Sequence, residues 1–176
     1  MFPPRIETDR LLLRPIQAGD ASAIFETYAQ DVEVARFTTW RPHRDVSETQ
    51  AFVARCLAMS PDESLTYAIT GRQDGALRGV FELRQPAAHR LGFGYVLARK
   101  FWGQGLMSEA LTAAVGWALG QSDIWRIGDV CDVENVGSAR VMEKSGLTRE
   151  GILRRWMLHP AMGAAPRDCF SYARVR

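Results

Sequence analysis

Near the middle of the chain, Gly94-Tyr95-Val96-Leu97-Ala98-Arg99-Lys100-Phe101-Trp102-Gly103-Gln104-Gly105-Leu106-Met107-Ser108-Glu109-Ala110 restricts the fold more than any other stretch. It reads as a β-strand, a turn carrying Gly103 and Gly105, and a helix of at least three turns. A helix start exposes about four unpaired N–H groups and about half a positive charge. Glycines let an anion come close to that backbone, so the arrangement is a cradle suited to a pyrophosphate. The alternative is a strand-to-helix turn that uses two glycines for geometry alone. The stretch lacks the Gly-Lys-Ser/Thr ending of a nucleotide-triphosphate loop. It also lacks the three-glycine dinucleotide fingerprint, and it lies after several strands rather than opening a βαβ unit.

The elements around it define the layers. The run Leu11-Leu12-Leu13-Arg14-Pro15 predicts a first strand, and Asp20 caps a first helix. Ser47-Glu48-Thr49-Gln50 spells a capping box for a second helix. The aromatic, turn-rich loop over residues 37–44 could cover a pocket. Strands over 65–69 and 79–83 flank the Asp74-Gly75 turn signal. The next strand, 92–97, carries two glycines within three residues, which predicts a bulge or a close approach of other groups to the backbone. A helix over 106–119, a strand over 127–131, a helix over 136–144 closed by Gly146, and strands over 152–158 and 169–175 complete the chain. With no repeat or linker, residues 1–176 read as one domain. The order predicts an α/β (α+β) fold, a mixed, largely antiparallel sheet of about seven strands flanked by about four helices.

Composition narrows the function. Lysine and arginine total 22 against 20 acidic residues, a net charge of +2, so no general attraction to nucleic acid or anionic lipid is expected. Cys56, Cys131 and Cys169 form neither a metal-ligand pattern nor a disulfide framework, and no metal is expected. The first residues lack a signal-peptide apolar stretch and no segment approaches transmembrane length, so the expected location is the cytoplasm.

Three blocks carry a resemblance: Thr8-Asp9-Arg10-Leu11-Leu12-Leu13-Arg14, then Trp102-Gly103-Gln104-Gly105-Leu106-Met107-Ser108-Glu109-Ala110, then Asn135-Val136-Gly137-Ser138-Ala139-Arg140-Val141-Met142-Glu143-Lys144-Ser145-Gly146-Leu147. In that order and spacing they resemble the Gcn5-related N-acetyltransferase (GNAT) superfamily, in particular its RimJ/RimL type, which acetylates ribosomal-protein N-termini. The resemblance runs from about Ile6 to the C-terminus. It implies a splayed sheet with acetyl-CoA wedged where two parallel strands diverge. It further implies that Tyr95 and Leu97 offer main-chain groups to the pantetheine arm and the acetyl carbonyl. Gly103, Gln104, Gly105, Leu106, Met107 and Ser108 would donate backbone N–H groups to the pyrophosphate. Asn135 would reach the pantetheine arm, a role compatible with capping the helix that follows. The glycine motif usually opens with Gln or Arg and closes with a small residue; here Trp102 and Met107 stand there, and backbone contacts tolerate both.

Acetyl transfer needs a neutral amine, a polarised carbonyl and a protonated leaving thiolate. An α-amino group, with a pKa of about 7.7–8.0, yields its proton to a modest base far more readily than lysine at about 10.4. Many members of the superfamily protonate the thiolate with a tyrosine seven residues after the asparagine. Met142 stands there and cannot, which leaves Ser138 as the candidate acid or as a plain helix serine. A glutamate common on the cofactor strand is replaced by Gly92. Glu82 becomes the candidate base, since alternation gives it the face opposite Phe81 and Leu83; a solvated surface charge is the competing reading. Glu109, Asp132 and Glu134 are further carboxylates, and His89 and His159 read as structural or exposed. Phe37, Trp40 and His43 are candidates to shape the acceptor pocket, with Trp40 equally readable as a core anchor. Expected partners are acetyl-CoA and an amine, either a peptide N-terminus or a small molecule, and the later strands are compatible with a homodimer. An acyl-CoA-binding or sensing domain without catalysis is the alternative, favoured by the missing tyrosine and glutamate.

Overall fold

Alternation along the strands sorts the side chains into two cores. In a computed structural model describing residues 2–176, Phe81 and Leu83 are fully buried against one side of the sheet. Val80, between glycine and Phe81, joins the cluster on the opposite face. The strands are β1 (Ile6–Glu7), β2 (Leu11–Pro15), β3 (Ser64–Gly71), β4 (Leu77–Ala87), β5 (Arg90–Leu97), β6 (Arg126–Asp132), β7 (Thr148–Met157) and β8 (Arg167–Val175). They form one eight-stranded sheet in the order β1-β2-β3-β4-β5-β6-β8-β7. Every pairing is antiparallel except β5 with β6. The strand absent from the sequence reading is β1, two residues long and too short to leave a periodic signal.

The larger core lies under α4 (Leu106–Gly120) and α5 (Val136–Lys144). In α4, Leu106, Met107, Ala110, Leu111, Ala114, Val115 and Ala118 are buried at three- and four-residue spacing, which presents one apolar stripe to the sheet. Fully burying a leucine or phenylalanine stabilises the fold by roughly 1.5–3 kcal/mol. Between that helix and the sheet, Phe81, Phe93 and Tyr95 stack as a near-parallel ladder with centroids 6.0–6.4 Å apart. The second core lies under α1 (Asp20–Ile24, continued by a π-helical turn through Ala29), α2 (Val32–Ala35) and α3 (Val46–Ala58).

Two caps differ from expectation. Asp20 begins α1 rather than preceding it, and its carboxylate instead pairs with Arg14 at 2.6 and 2.8 Å and accepts from Gln17 N–H. Asp45, not Ser47, caps α3: its carboxylate accepts the Ser47 N–H at 2.8 Å. An ionised carboxylate at the helix start complements the dipole better than a hydroxyl. Among the described residues no helix is long and apolar enough to cross a membrane.

Candidate active site

The site originates where β5 and β6 part. They pair only at Arg90 with Arg126 and Leu91 with Ile127, after which each runs on without the other. A separated ladder leaves main-chain groups that need new partners. On β5 the N–H and C=O of alternate residues point the same way, so Phe93, Tyr95 and Leu97 all face the opening. Phe93 is satisfied by side chains: its N–H donates to Asp129 Oδ2 at 3.0 Å, and its C=O accepts from Arg84 at 2.9 Å. The Leu97 carbonyl accepts the indole N–H of Trp102 at 2.7 Å. Between them, no side chain among the described residues takes the N–H or C=O of Tyr95. The opening therefore presents the N–H and C=O of Tyr95 and the N–H of Leu97 to whatever enters.

One cavity, of about 470 Å³, runs from this opening to the glycine turn. Gly103 and Gly105 have φ of +74° and +75°, a left-handed conformation that side chains with a Cβ disfavour, and Gly105 is the residue from which α4 starts. The turn is held from both ends of the chain. Arg10 donates to Gln104 C=O at 3.0 Å and pairs with Glu109 at 2.6 Å, while Ser145 donates to Ser108 C=O at 3.2 Å. The three sequence blocks thus meet at one helix entrance, and Glu109 serves to clamp it. Gly103, Gly105, Leu106, Met107 and Ser108 line the cavity. Gln104 does not: its carbonyl is held by Arg10 and its side chain donates to Lys100 C=O. Asn135 lines the cavity too, and its Oδ1 caps α5 by accepting the Ser138 N–H at 3.0 Å, which leaves its amide N–H₂ free to donate.

Ser138 lies in the same wall. Its Oγ is 2.8 Å from the hydroxyl of Tyr95, whose side chain reaches from β5 to the first turn of α5. Burial pushes the Tyr95 phenol upward in pKa in spite of that bond, so it keeps its proton. Met142 is buried in the core and takes no part.

A second cavity, of about 410 Å³, opens on the other face of the sheet, and Phe37, Thr38, Tyr95 and Val96 line both. Glu82 stands on its floor, where it accepts from Ser64 Oγ at 2.7 Å and from Arg84 at 2.9 Å. Arg84 then crosses β5 to reach Asp129 on β6 at 2.5 Å. The two glycines of β5 make that crossing feasible. A Cβ on Gly92 would stand 3.2 Å from Asp129 Oδ2, whereas one on Gly94 would meet Arg84 and Glu82 only at ordinary contact distance, 3.5 Å. Burial raises the Asp129 carboxyl above its usual range although Arg84 and two N–H groups oppose the shift. Sequence reasoning missed Arg84 and Asp129, and the glycine pair was the only trace of them.

Trp40 and His43 line this second cavity only, with rings 5.3 Å apart, and Trp40 also packs on the smaller core, so its two readings coexist. His43 Nδ1 is bonded to buried Thr49 Oγ1 at 2.7 Å, and burial lowers its pKa, which keeps the ring neutral. Asp132 and Glu134 lie outside both cavities. Buried Asp132 pairs with Arg167 at 2.6 Å and neighbours buried His159, while Glu134 pairs with Arg167 at 2.7 Å. His89 is exposed on a turn. The three cysteines are free thiols with pKa raised by burial, Cys131 and Cys169 to about 11, which makes them poor nucleophiles.

Comparison with known proteins agrees with this geometry. Residues 10–148 match the acetyltransferase (GNAT) domain. The chain is 28% identical to the uncharacterized N-acetyltransferase YoaA of Bacillus subtilis, over 98% of this chain and 97% of that one. It is 27% identical to the [ribosomal protein uS5]-alanine N-acetyltransferase of Escherichia coli, over 88% and 83% of the two chains. In fold it matches RimL, a ribosomal L7/L12 α-N-protein acetyltransferase solved with coenzyme A, with a TM-score of 0.84 at 24% identity over 97% of each chain. The matched residues span most of the chain, the opened strand pair and the glycine turn among them, and the chain belongs to the GNAT acetyltransferase family.

Proposed function

We propose that this protein transfers the acetyl group of acetyl-CoA directly to a primary amine, a peptide N-terminus or a small molecule, in a ternary complex in the cytoplasm. The observation that carries the reading is the unpaired main-chain N–H and C=O of Tyr95 facing an opening with a cavity on either side. On the α4 side, backbone N–H groups of Gly103 and of Gly105 to Ser108 hold the pyrophosphate, and the Asn135 amide holds the pantetheine arm. On the other side the amine enters between Phe37, Trp40 and His43. Glu82 takes the proton of the ammonium, and the neutral nitrogen forms its bond to the acetyl carbon. The Tyr95 N–H steadies the negative charge that develops on the carbonyl oxygen, help worth a few kcal/mol. As the C–S bond breaks, Ser138, held by the Tyr95 phenol, passes its proton to the sulfur and regains one from the nitrogen of the new amide, while Glu82 keeps the proton of the ammonium. The outer strand β7, which exposes Ile152 and Trp156, is the surface through which a homodimer would form.

The test is to mix purified protein, acetyl-CoA and a panel of amines, including peptides that begin with alanine, serine or methionine, and to follow free thiol. Amine-dependent thiol release is the expected result. Tight acetyl-CoA binding without release for any acceptor would point to an acyl-CoA sensor. No thermal stabilisation by acetyl-CoA would remove the reading altogether, since a ligand that binds only the native state must raise its stability.

A further inference from the structure

The second cavity has a polar floor, apolar walls and a cationic rim, and together these select a chemical class of acceptor. We propose that it is built for a single primary ammonium carried on an apolar body, with Asp129 and Glu82 seating the ammonium from the floor. This rests on the reading of that cavity as the acceptor side. The floor holds two carboxylates and one guanidinium, a local excess of one negative charge. Glu82 accepts from Ser64 and Arg84, and Asp129 from Arg84 and the N–H groups of Phe93 and Val130. A carboxylate can accept about four hydrogen bonds, so both keep capacity for the donors of an ammonium. His43, neutral through burial, adds no opposing charge.

Above this floor the walls are Ile24, Tyr28, Phe37, Trp40, Phe52 and Val80. Most of this surface is carbon, with only scattered polar groups on Tyr28, Trp40, Thr38, Thr39 and Thr66, so burying a long polar chain against it would leave much of that chain's hydration unreplaced, at a cost in free energy. At the rim Arg55 is exposed and has no ion-pair partner among the described residues. A second ammonium would meet that guanidinium, which disfavours polyamines. The cavity, of about 410 Å³, suits a ring-sized body.

The test is calorimetric titration of the whole chain, saturated with CoA, with four probes: 2-phenylethylamine, its uncharged counterpart 2-phenylethanol, spermidine, and the peptide Phe-Gly-Gly. We expect 2-phenylethylamine to bind at least about tenfold more tightly than 2-phenylethanol or spermidine, the weight of a charge-assisted contact without a second cation to repel. Asp129→Asn should weaken 2-phenylethylamine about tenfold and leave the Kd for CoA within about twofold. The proposal falls if 2-phenylethylamine fails to bind, or if either comparison probe binds as well. The wild-type comparison decides even should the variant not fold, and Glu82→Gln supplies a second variant with the same expected loss. Equal binding of Phe-Gly-Gly supports the proposal and makes a chain terminus the source of the ammonium; weaker binding supports it with a small amine as the source. Thiol release tells the two readings apart. Binding of 2-phenylethylamine with no thiol released by any amine of the panel overturns the acetyl-transfer reading alone, whereas faster release with spermidine than with 2-phenylethylamine overturns this inference alone.

Discussion

The cavities on the two faces of the opened sheet are similar in size, about 470 and 410 Å³, yet they are made of different material. The α4 side is centred on backbone, a contiguous turn, a helix entrance and one strand edge, and is bordered by side chains of α2, the loop after it, Asn135 and α5. The other side is mostly side chains, gathered from α1 and the turn that continues it, the loop after α2, α3, and strands β3 to β7. A backbone site depends on conformation and tolerates changes of side chain. A side-chain site depends on identity and can be retuned by single substitutions without moving the sheet. The contrast teaches that a backbone site suits a ligand common to many relatives and a side-chain site one that varies among them, which is how the proposed function divides acetyl-CoA from the amine.

Substitutions on each side sharpen this contrast. The largest effect is expected from Glu82→Gln, which keeps the shape that meets Ser64 and Arg84 but loses the charge. The kcat with an accepted amine should fall about a hundredfold, with the Kd for acetyl-CoA unchanged by calorimetry. A matching loss of acetyl-CoA affinity would blur the two sides into one site. Next comes Gly105→Val on the backbone side. A β-branched residue at φ +75° costs roughly 1–2 kcal/mol or more, so the Kd for acetyl-CoA should rise about tenfold. An unchanged Kd would mean that the helix entrance does not hold the ligand.

The smallest effect concerns His43. Burial holds its folded-state pKa below the ordinary value of about 6.5, so between those two values the unfolded chain binds more protons. Its contribution to stability is present above about pH 6.5 and is lost as pH falls through the folded-state pKa. His43→Gln should therefore reduce the fall in Tm between pH 7.5 and 5.5, by on the order of one degree given the partial exposure of the ring. A Tm profile identical to wild type would show that the ring is not held neutral against the Thr49 hydroxyl.

Legibility followed the same division. The glycine turn and α4 were readable because positive φ, a helix dipole and an apolar stripe leave local marks in sequence, at Gly103, Gly105 and the spacing from Leu106 to Ala118. Ser138, Asn135 and Glu82 were found through motif and alternation, and each lines a cavity. The partners that give them context lay out of reach. Tyr95 was valued for its backbone, yet its phenol meets Ser138 from a residue 43 positions away. Arg84 and Asp129 come from different strands, 45 positions apart, and nothing in either segment announces the other.

By itself, the sequence determined the layers, the helix entrance and the family, because these depend on local conformation and on patterns that repeat within a few residues. Tertiary structure alone decided that β5 and β6 part after two residue pairs, that Asp129 and Arg84 satisfy Phe93 on the opened edge, and that the N–H and C=O of Tyr95 are left facing the opening. The physical reason is that a broken ladder must satisfy every exposed N–H and C=O from whatever the fold brings near, and the donors and acceptors that do so here come from remote parts of the chain.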